Sequence, residues 1–341
     1  MQLQEKIDLI KNNEAVAMLA PTFVIDFKYP NIIGMLRHLG FKEVTELTFG
    51  ARMVNWAYAN YVKAHLHPHT KQCKKGCKTR EDCPCSGVGA SQELFISSPC
   101  PTVVALVKTQ YPELVKYLMP IVSPMAAMAK VHKKFNPKCK VVFISPCWAK
   151  ENLEAPKFKE IDAVITLKDL KQIFSAQGGP ASGGEEIKEE NFKVHPHTKP
   201  DSVAGENLKK YGSGSGVGAS YYFDSLIREY TKIYPVSGGL AATSHIQKLF
   251  KKGEIFITDG VENIKKAFEE IKAGTSKYKF LDLLNCPGGC IGGPAINRQD
   301  ISIDQRKKII FEYTHRSSEA TMGKHEGKVK DAKDIDLSVS Y

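Results

Sequence analysis

The chain has 341 residues, 42% hydrophobic and 25% charged, an ordinary balance for one large globular unit or two lobes with separate cores. It holds no run of about 18 uncharged apolar residues, which excludes a simple membrane span, and residues 1–14 lack the apolar centre of a secretion signal, so a cytoplasmic protein is expected. The formal charge of +11 comes from Lys and Arg spread along the chain without a nucleic-acid recognition motif, which leaves a solvated surface or a face for an acidic partner.

In chain order, Ala15 to Ala20 reads as a buried strand that ends in a turn at Pro21. Asn31 to Leu39 predicts an amphipathic helix closed by Gly40, and Met53 to His65 predicts another. From residue 65 to 89 the composition breaks into His, Cys, Lys and Gly, the mark of a loop insertion wrapped around something. Leu94 to Ser97 predicts a short strand, followed by a helix from Pro101 to Lys108. Val141 to Ser145 predicts a matching strand ending at Pro146-Cys147, and further strands are expected at Ala163 to Thr166 and Ile255 to Thr258. Residues 178–205 read as a polar surface loop, and the tail over 318–341 as polar and loose. The hexapeptide SGVGAS occurs at Ser86–Ser91 and Ser215–Ser220, with no longer repeat to support it.

The cysteines carry the chemistry. Nine of them without a secretion signal argue against disulfides and for metal. Phe95-Ile96-Ser97-Ser98-Pro99-Cys100 and Phe143-Ile144-Ser145-Pro146-Cys147 repeat one design, an apolar strand that delivers a thiol just past its carboxyl end. Open α/β sheets place ligands there, and a following helix aims free N–H groups at an anion. Cys286-Pro287-Gly288-Gly289-Cys290 sets two thiols on one glycine turn. Alone, such a pair is more often a turn with incidental thiols; joined to two strand-end cysteines it points to an iron–sulfur cubane. Cys139 stands apart and reads as a small buried residue.

These three segments, in order, resemble the signatures of FeFe hydrogenases, T-S-C-C-P, M-P-C-x-x-K and E-x-M-x-C-x-x-G-C-x-x-G-G. The likeness runs from about Ala15 to about His315 and includes Ala20-Pro21 and Phe49-Gly50-Ala51. It implies an α/β fold of two lobes, each a twisted, mostly parallel sheet flanked by helices, with the cluster between them and the domain covering residues 1–317. It implies an H-cluster: a 4Fe-4S cubane on Cys100, Cys147, Cys286 and Cys290, with Cys290 bridging to a two-iron subcluster that carries CO, cyanide and a bridging dithiolate. Lys150 would hydrogen-bond a cyanide, while Pro21, Thr22, Ser123 and Pro146 would line the pocket. The implied reaction interconverts protons plus electrons with molecular hydrogen, served by a ferredoxin-like electron carrier and by maturation factors for the two-iron part.

The departures bear on rate. Pro99 stands where the family has a proton-relaying cysteine, Ala57 and Tyr58 where it has acids, and Ser145 and Leu284 where it has methionines. The resemblance is therefore to a slow, divergent branch, with a hydrogen or redox sensor and a hydrogenase-like assembly factor as the alternatives. A second cluster, Cys73, Cys77, Cys83 and Cys85, lies in the insertion after His65, His67 and His69. All-thiolate spacing suits a further 4Fe-4S cluster, with zinc as the alternative. Lys71, Lys74, Lys75, Lys78 and Arg80 beside it would suit docking of an acidic ferredoxin.

Overall fold

The computed structural model describes residues 1–66, 94–176, 230–319 and 334–341. Cys73, Cys77, Cys83 and Cys85, the stretch 178–205 and both SGVGAS segments lie outside the described residues. In chain order the strands are β1 (Ala15–Leu19), β2 (Glu43–Glu46), β3 (Phe95–Ile96), β4 (Lys140–Ser145), β5 (Ala163–Thr166), β6 (Ile255–Asp259) and β7 (Phe280–Leu284). The helices are α1 (Leu3–Lys11), α2 (Asn31–Leu39), α3 (Thr48–Leu66), α4 (Pro101–Gln110), α5 (Pro124–Phe135), α6 (Leu167–Ala176), α7 (Gly239–Thr243), α8 (Val261–Lys272) and α9 (Ile303–Glu319).

Two parallel sheets flanked by helices organise the chain, as expected. One has the strand order β2-β1-β4-β5 and the other β3-β7-β6. Strands of a parallel sheet covered on both faces need apolar residues at every position, which is why β1 is an unbroken buried run. Ala15, Ala17, Leu19, Val142 and Ile144 face a core shared with α2 and α6. Val16, Met18, Val141 and Phe143 face the opposite core, built by Phe49 and Met53 of α3 with Met125 and Met128 of α5. In the second sheet Ile96, Leu281 and Leu283 pack on α4 and α8, while Phe95 and Phe280 pack on Val54, Tyr58 and Val62 of α3. Helix α3 thus serves the cores of both sheets. Gly50 lets α5 close onto it, since a Cβ there would stand 2.4 Å from the Pro124 carbonyl oxygen.

Three expectations need correction. Helix α3 starts at Thr48, not Met53, because Phe49 and Ala51 are buried core positions of its first turns. Strands β2 and β7 had not been expected, since Glu43, Glu46 and Asp282 interrupt their apolar pattern. The tail is not loose at its end: Ser338 bridges antiparallel to Ile121, and the Val122 N–H donates to the Leu337 carbonyl at 2.9 Å. Leu337 and Val339 insert among the apolar side chains around Tyr58, which supplies the contact that the polar composition concealed.

Candidate metal centre

Each sheet delivers thiols from the carboxyl ends of its strands. Cys147 leaves β4 two residues past Ser145, whose hydroxyl accepts the Cys147 N–H at 3.1 Å and donates to its carbonyl at 2.9 Å. The N–H groups of Ala149 and Lys150 reach the Cys147 sulfur, so the start of a helical turn faces it. Cys100 leaves β3 and caps α4, and the Ser97 hydroxyl just before it accepts the Leu283 N–H of β7 at 3.0 Å. Cys286 follows β7, and the turn to Cys290 depends on Gly288 and Gly289, with φ of 73° and 93°. At Gly289 a Cβ would also stand 2.5 Å from the Pro235 carbonyl oxygen. The Ala295 N–H donates to the Pro146 carbonyl at 3.1 Å and joins this turn to the Cys147 turn. Arg306 of α9 holds the Ile291 carbonyl at 3.1 Å from the other side.

The four thiols therefore converge. Cys290 is electrostatically coupled to Cys100, Cys147 and Cys286, and Cys286 to Cys100 and Cys147. Burial is the main cause that pushes the Cys286 thiol up to about 11 and raises Cys147 and Cys290 as well. Metal must displace these protons, so binding releases acid and loads more readily as pH rises. Among the described residues no three His, Cys, Asp or Glu side chains are placed to hold one metal ion. Four gathered thiols that are not placed around a single ion are a donor set that suits a polynuclear iron–sulfur core.

Two hydroxyls expected at the pocket are orphaned. Thr22 Oγ1 and Ser123 Oγ are buried without a hydrogen-bond partner among the described residues, the condition of groups that face a bound species or water. Pro21 and Thr22 open a tight turn after β1, and the Ala20 N–H donates to the Ile144 carbonyl, so they sit beside the β4 end that carries Cys147. Ser123 precedes α5, next to a loop whose Met119 and Ile121 carbonyls accept from the Ser98 hydroxyl at 2.7 and 3.0 Å. Lys150 does reach the site, but it also has protein partners. Its ammonium donates to the Pro99 carbonyl at 2.9 Å and to Glu154 at 2.5 Å, within a π-helical turn over Lys150–Glu154. Among the described residues two of its three N–H groups are so engaged, which leaves one for a ligand.

The sequence reading missed Glu154, although its spacing from Lys150 suits an ion pair on one helical face. It also missed what Tyr58 does. The buried Tyr58 hydroxyl accepts the Ser98 N–H at 2.7 Å and lies 2.7 Å from the Ser98 hydroxyl, which itself donates to carbonyls. The Tyr58 proton therefore points along a chain that ends on the backbone. Cys139 is buried as expected, apart from the four, with its thiol pushed up to about 11 by burial.

Known proteins share the family and the fold. Residues 13–294 match the family model described as iron only hydrogenase large subunit, C-terminal domain. The periplasmic Fe hydrogenase large subunit of Nitratidesulfovibrio vulgaris is 26% identical over 223 residues, covering 58% of this chain and 50% of that protein. The cytosolic Fe-S cluster assembly factor NAR1 of Kluyveromyces lactis is 24% identical over 265 residues, covering 63% of this chain and 54% of that protein. The chain thus spans about half the length of these curated relatives. A variant of FeFe-hydrogenase HydA1 from Chlamydomonas reinhardtii shares the fold at a TM-score of 0.60 and 19% identity, over 99% of this chain and 95% of that one. The matched span contains all four converging cysteines, and the chain belongs to the family of the iron only hydrogenase large subunit, C-terminal domain.

Proposed function

We propose that the chain holds a 4Fe-4S cubane on Cys100, Cys147, Cys286 and Cys290, with the two-iron group of an H-cluster attached through Cys290, and works as a slow hydrogenase. The observation that carries this reading is the gathering of four thiols from the strand ends of both sheets; the Thr22 and Ser123 hydroxyls, unpartnered among the described residues, add support. When bound, the group supplies the interconversion of hydrogen with protons and electrons, while protein supplies ligands, donors and dry surroundings. Thr22 and Ser123 would offer hydroxyls to it, Lys150 its third N–H, and Pro21 and Pro146 apolar walls.

Proton delivery is where this chain departs from a fast enzyme. Pro99 carries no proton, Ala57 has no acid, and Tyr58 directs its hydroxyl into the Ser98 chain. A positioned donor is worth about 100- to 10,000-fold in rate. Matured protein should evolve hydrogen slower, by about that range, than a relative with the two-cysteine signature. Equal turnover would contradict the account. Infrared bands of CO and cyanide test the two-iron group itself. Their absence after maturation would favour the second reading, a cubane-binding assembly factor, to which the likeness to NAR1 and the Lys150–Glu154 pair also lend weight.

Two further parts of the reading concern the rest of the chain. Cys73, Cys77, Cys83 and Cys85 would bind a second 4Fe-4S cluster, with zinc as the rival, and relay electrons. An acidic, ferredoxin-like carrier fits the net charge of +11.

A further inference from the structure

The stretch Tyr234-Pro235-Val236 runs along the turn that holds Cys286 and Cys290. The Cys290 N–H donates to the Pro235 carbonyl at 2.7 Å, and the Ser237 N–H to the Gly288 carbonyl at 3.0 Å. Val236 bridges antiparallel to Gly289. Just upstream, the buried Lys232 ammonium bonds Glu46 at 2.6 Å and fixes the start of the stretch. Tyr234 is thereby pinned against the cluster turn, with its ring packed in the apolar group around Tyr58, Phe95 and Phe280.

The Tyr234 hydroxyl is shielded from solvent and has no hydrogen-bond partner among the described residues. Leaving a buried hydroxyl unsatisfied forfeits its hydration without replacement, so native proteins give it an acceptor. Its electrostatic neighbours are Tyr58, Asp282, Cys290 and Glu154. One oxygen of Asp282 is engaged by the Ala241 N–H at 2.9 Å, and Glu154 is held by Lys150. The sulfur of Cys290 lies on the turn to which the Tyr234 stretch is itself bonded, and it becomes an anionic acceptor once it ligates iron. The sulfur of Cys147 is met by backbone N–H groups and that of Cys286 by the Asn285 side chain.

We propose that Tyr234 is a hydrogen-bond donor to the Cys290 side of the iron–sulfur group and sets its reduction potential. This rests on the cubane proposed above. A donor to a ligating sulfur stabilises the reduced, more negative cluster, so it raises the potential. A phenol is protonated at neutral pH and able to donate, and burial holds it further in that form.

The test compares reconstituted wild-type protein, Tyr234→Phe, and protein with 3-fluorotyrosine placed at position 234. Iron per chain and the midpoint potential are measured on each. All three should load the same iron. The potential should fall in Tyr234→Phe and rise with the fluorinated phenol, a stronger donor of nearly the same shape. Equal potentials across the three would overturn the assignment, as would iron loss in Tyr234→Phe at an unchanged melting temperature. The fluorinated protein keeps the test valid where the Phe variant folds poorly. Wild-type protein that binds no iron would instead sink the cubane reading, and this contact with it.

Discussion

Asp282 shows how a single buried group shapes the behaviour of this fold. It lies in the middle of β7, almost fully buried, and its carboxylate accepts the Ala241 N–H at 2.9 Å. Burial pushes its pKa from 3.8 up to about 6. Between those values the folded chain binds more protons than the unfolded one. Its contribution is therefore full at low pH and lost as pH rises through about 6. At about 1.4 kcal/mol per pK unit, the cost at neutral pH is up to about 3 kcal/mol. Asp282→Asn should raise stability at pH 7 by about 1–3 kcal/mol and leave it nearly unchanged at pH 4, read by urea unfolding at both. A variant less stable than wild type at pH 7 would show that the carboxylate is paired when charged. Comparison with wild type matters, because His132, lowered to about 4 by burial, acts in the opposite sense and loses stability as pH falls. Asp282 was not legible in the sequence, since one carboxylate in Phe280-Leu281-Asp282-Leu283-Leu284 broke the apolar run by which strands are read.

At the scale of elements, β2 was hidden by the same device. Glu46 lies at its end, fully buried, bonded by Lys232 at 2.6 Å and by the Tyr313 hydroxyl at 2.7 Å. Lys232 also stands 4.2 Å above the Tyr313 ring, so one cluster ties β2, α9 and the stretch that carries Tyr234. Nothing local in the sequence announces a partner so distant along the chain. Removing one member of a buried ion pair leaves an uncompensated charge, at about 3–5 kcal/mol. Lys232→Met should be destabilised by about that much in chemical denaturation, and adding Glu46→Gln should recover most of the loss. No recovery in the double variant would mean that Lys232 acts by packing alone. The elements that were legible share a cause. Strands β1, β4 and β5 are apolar on both faces, and α2 ends at Gly40 with φ of 123°. Their signals are local, whereas those of β2 and β7 lie in tertiary partners.

For the whole molecule, the strand-end repeat Ile96-Ser97-Ser98-Pro99-Cys100 and Ile144-Ser145-Pro146-Cys147 was enough to place thiols at the ends of two sheets. Tyr234 was not, since only the fold brings its stretch against Cys290. The proposed cubane would rest on all four converging cysteines. Iron content measures it directly, in protein whose insertion thiols are removed by Cys83→Ser and Cys85→Ser so that a second cluster cannot contribute. After anaerobic reconstitution this background should bind about four irons per chain, the content of one cubane, and adding Cys286→Ala should abolish them. Iron that persists unchanged in the Cys286→Ala protein would contradict the account.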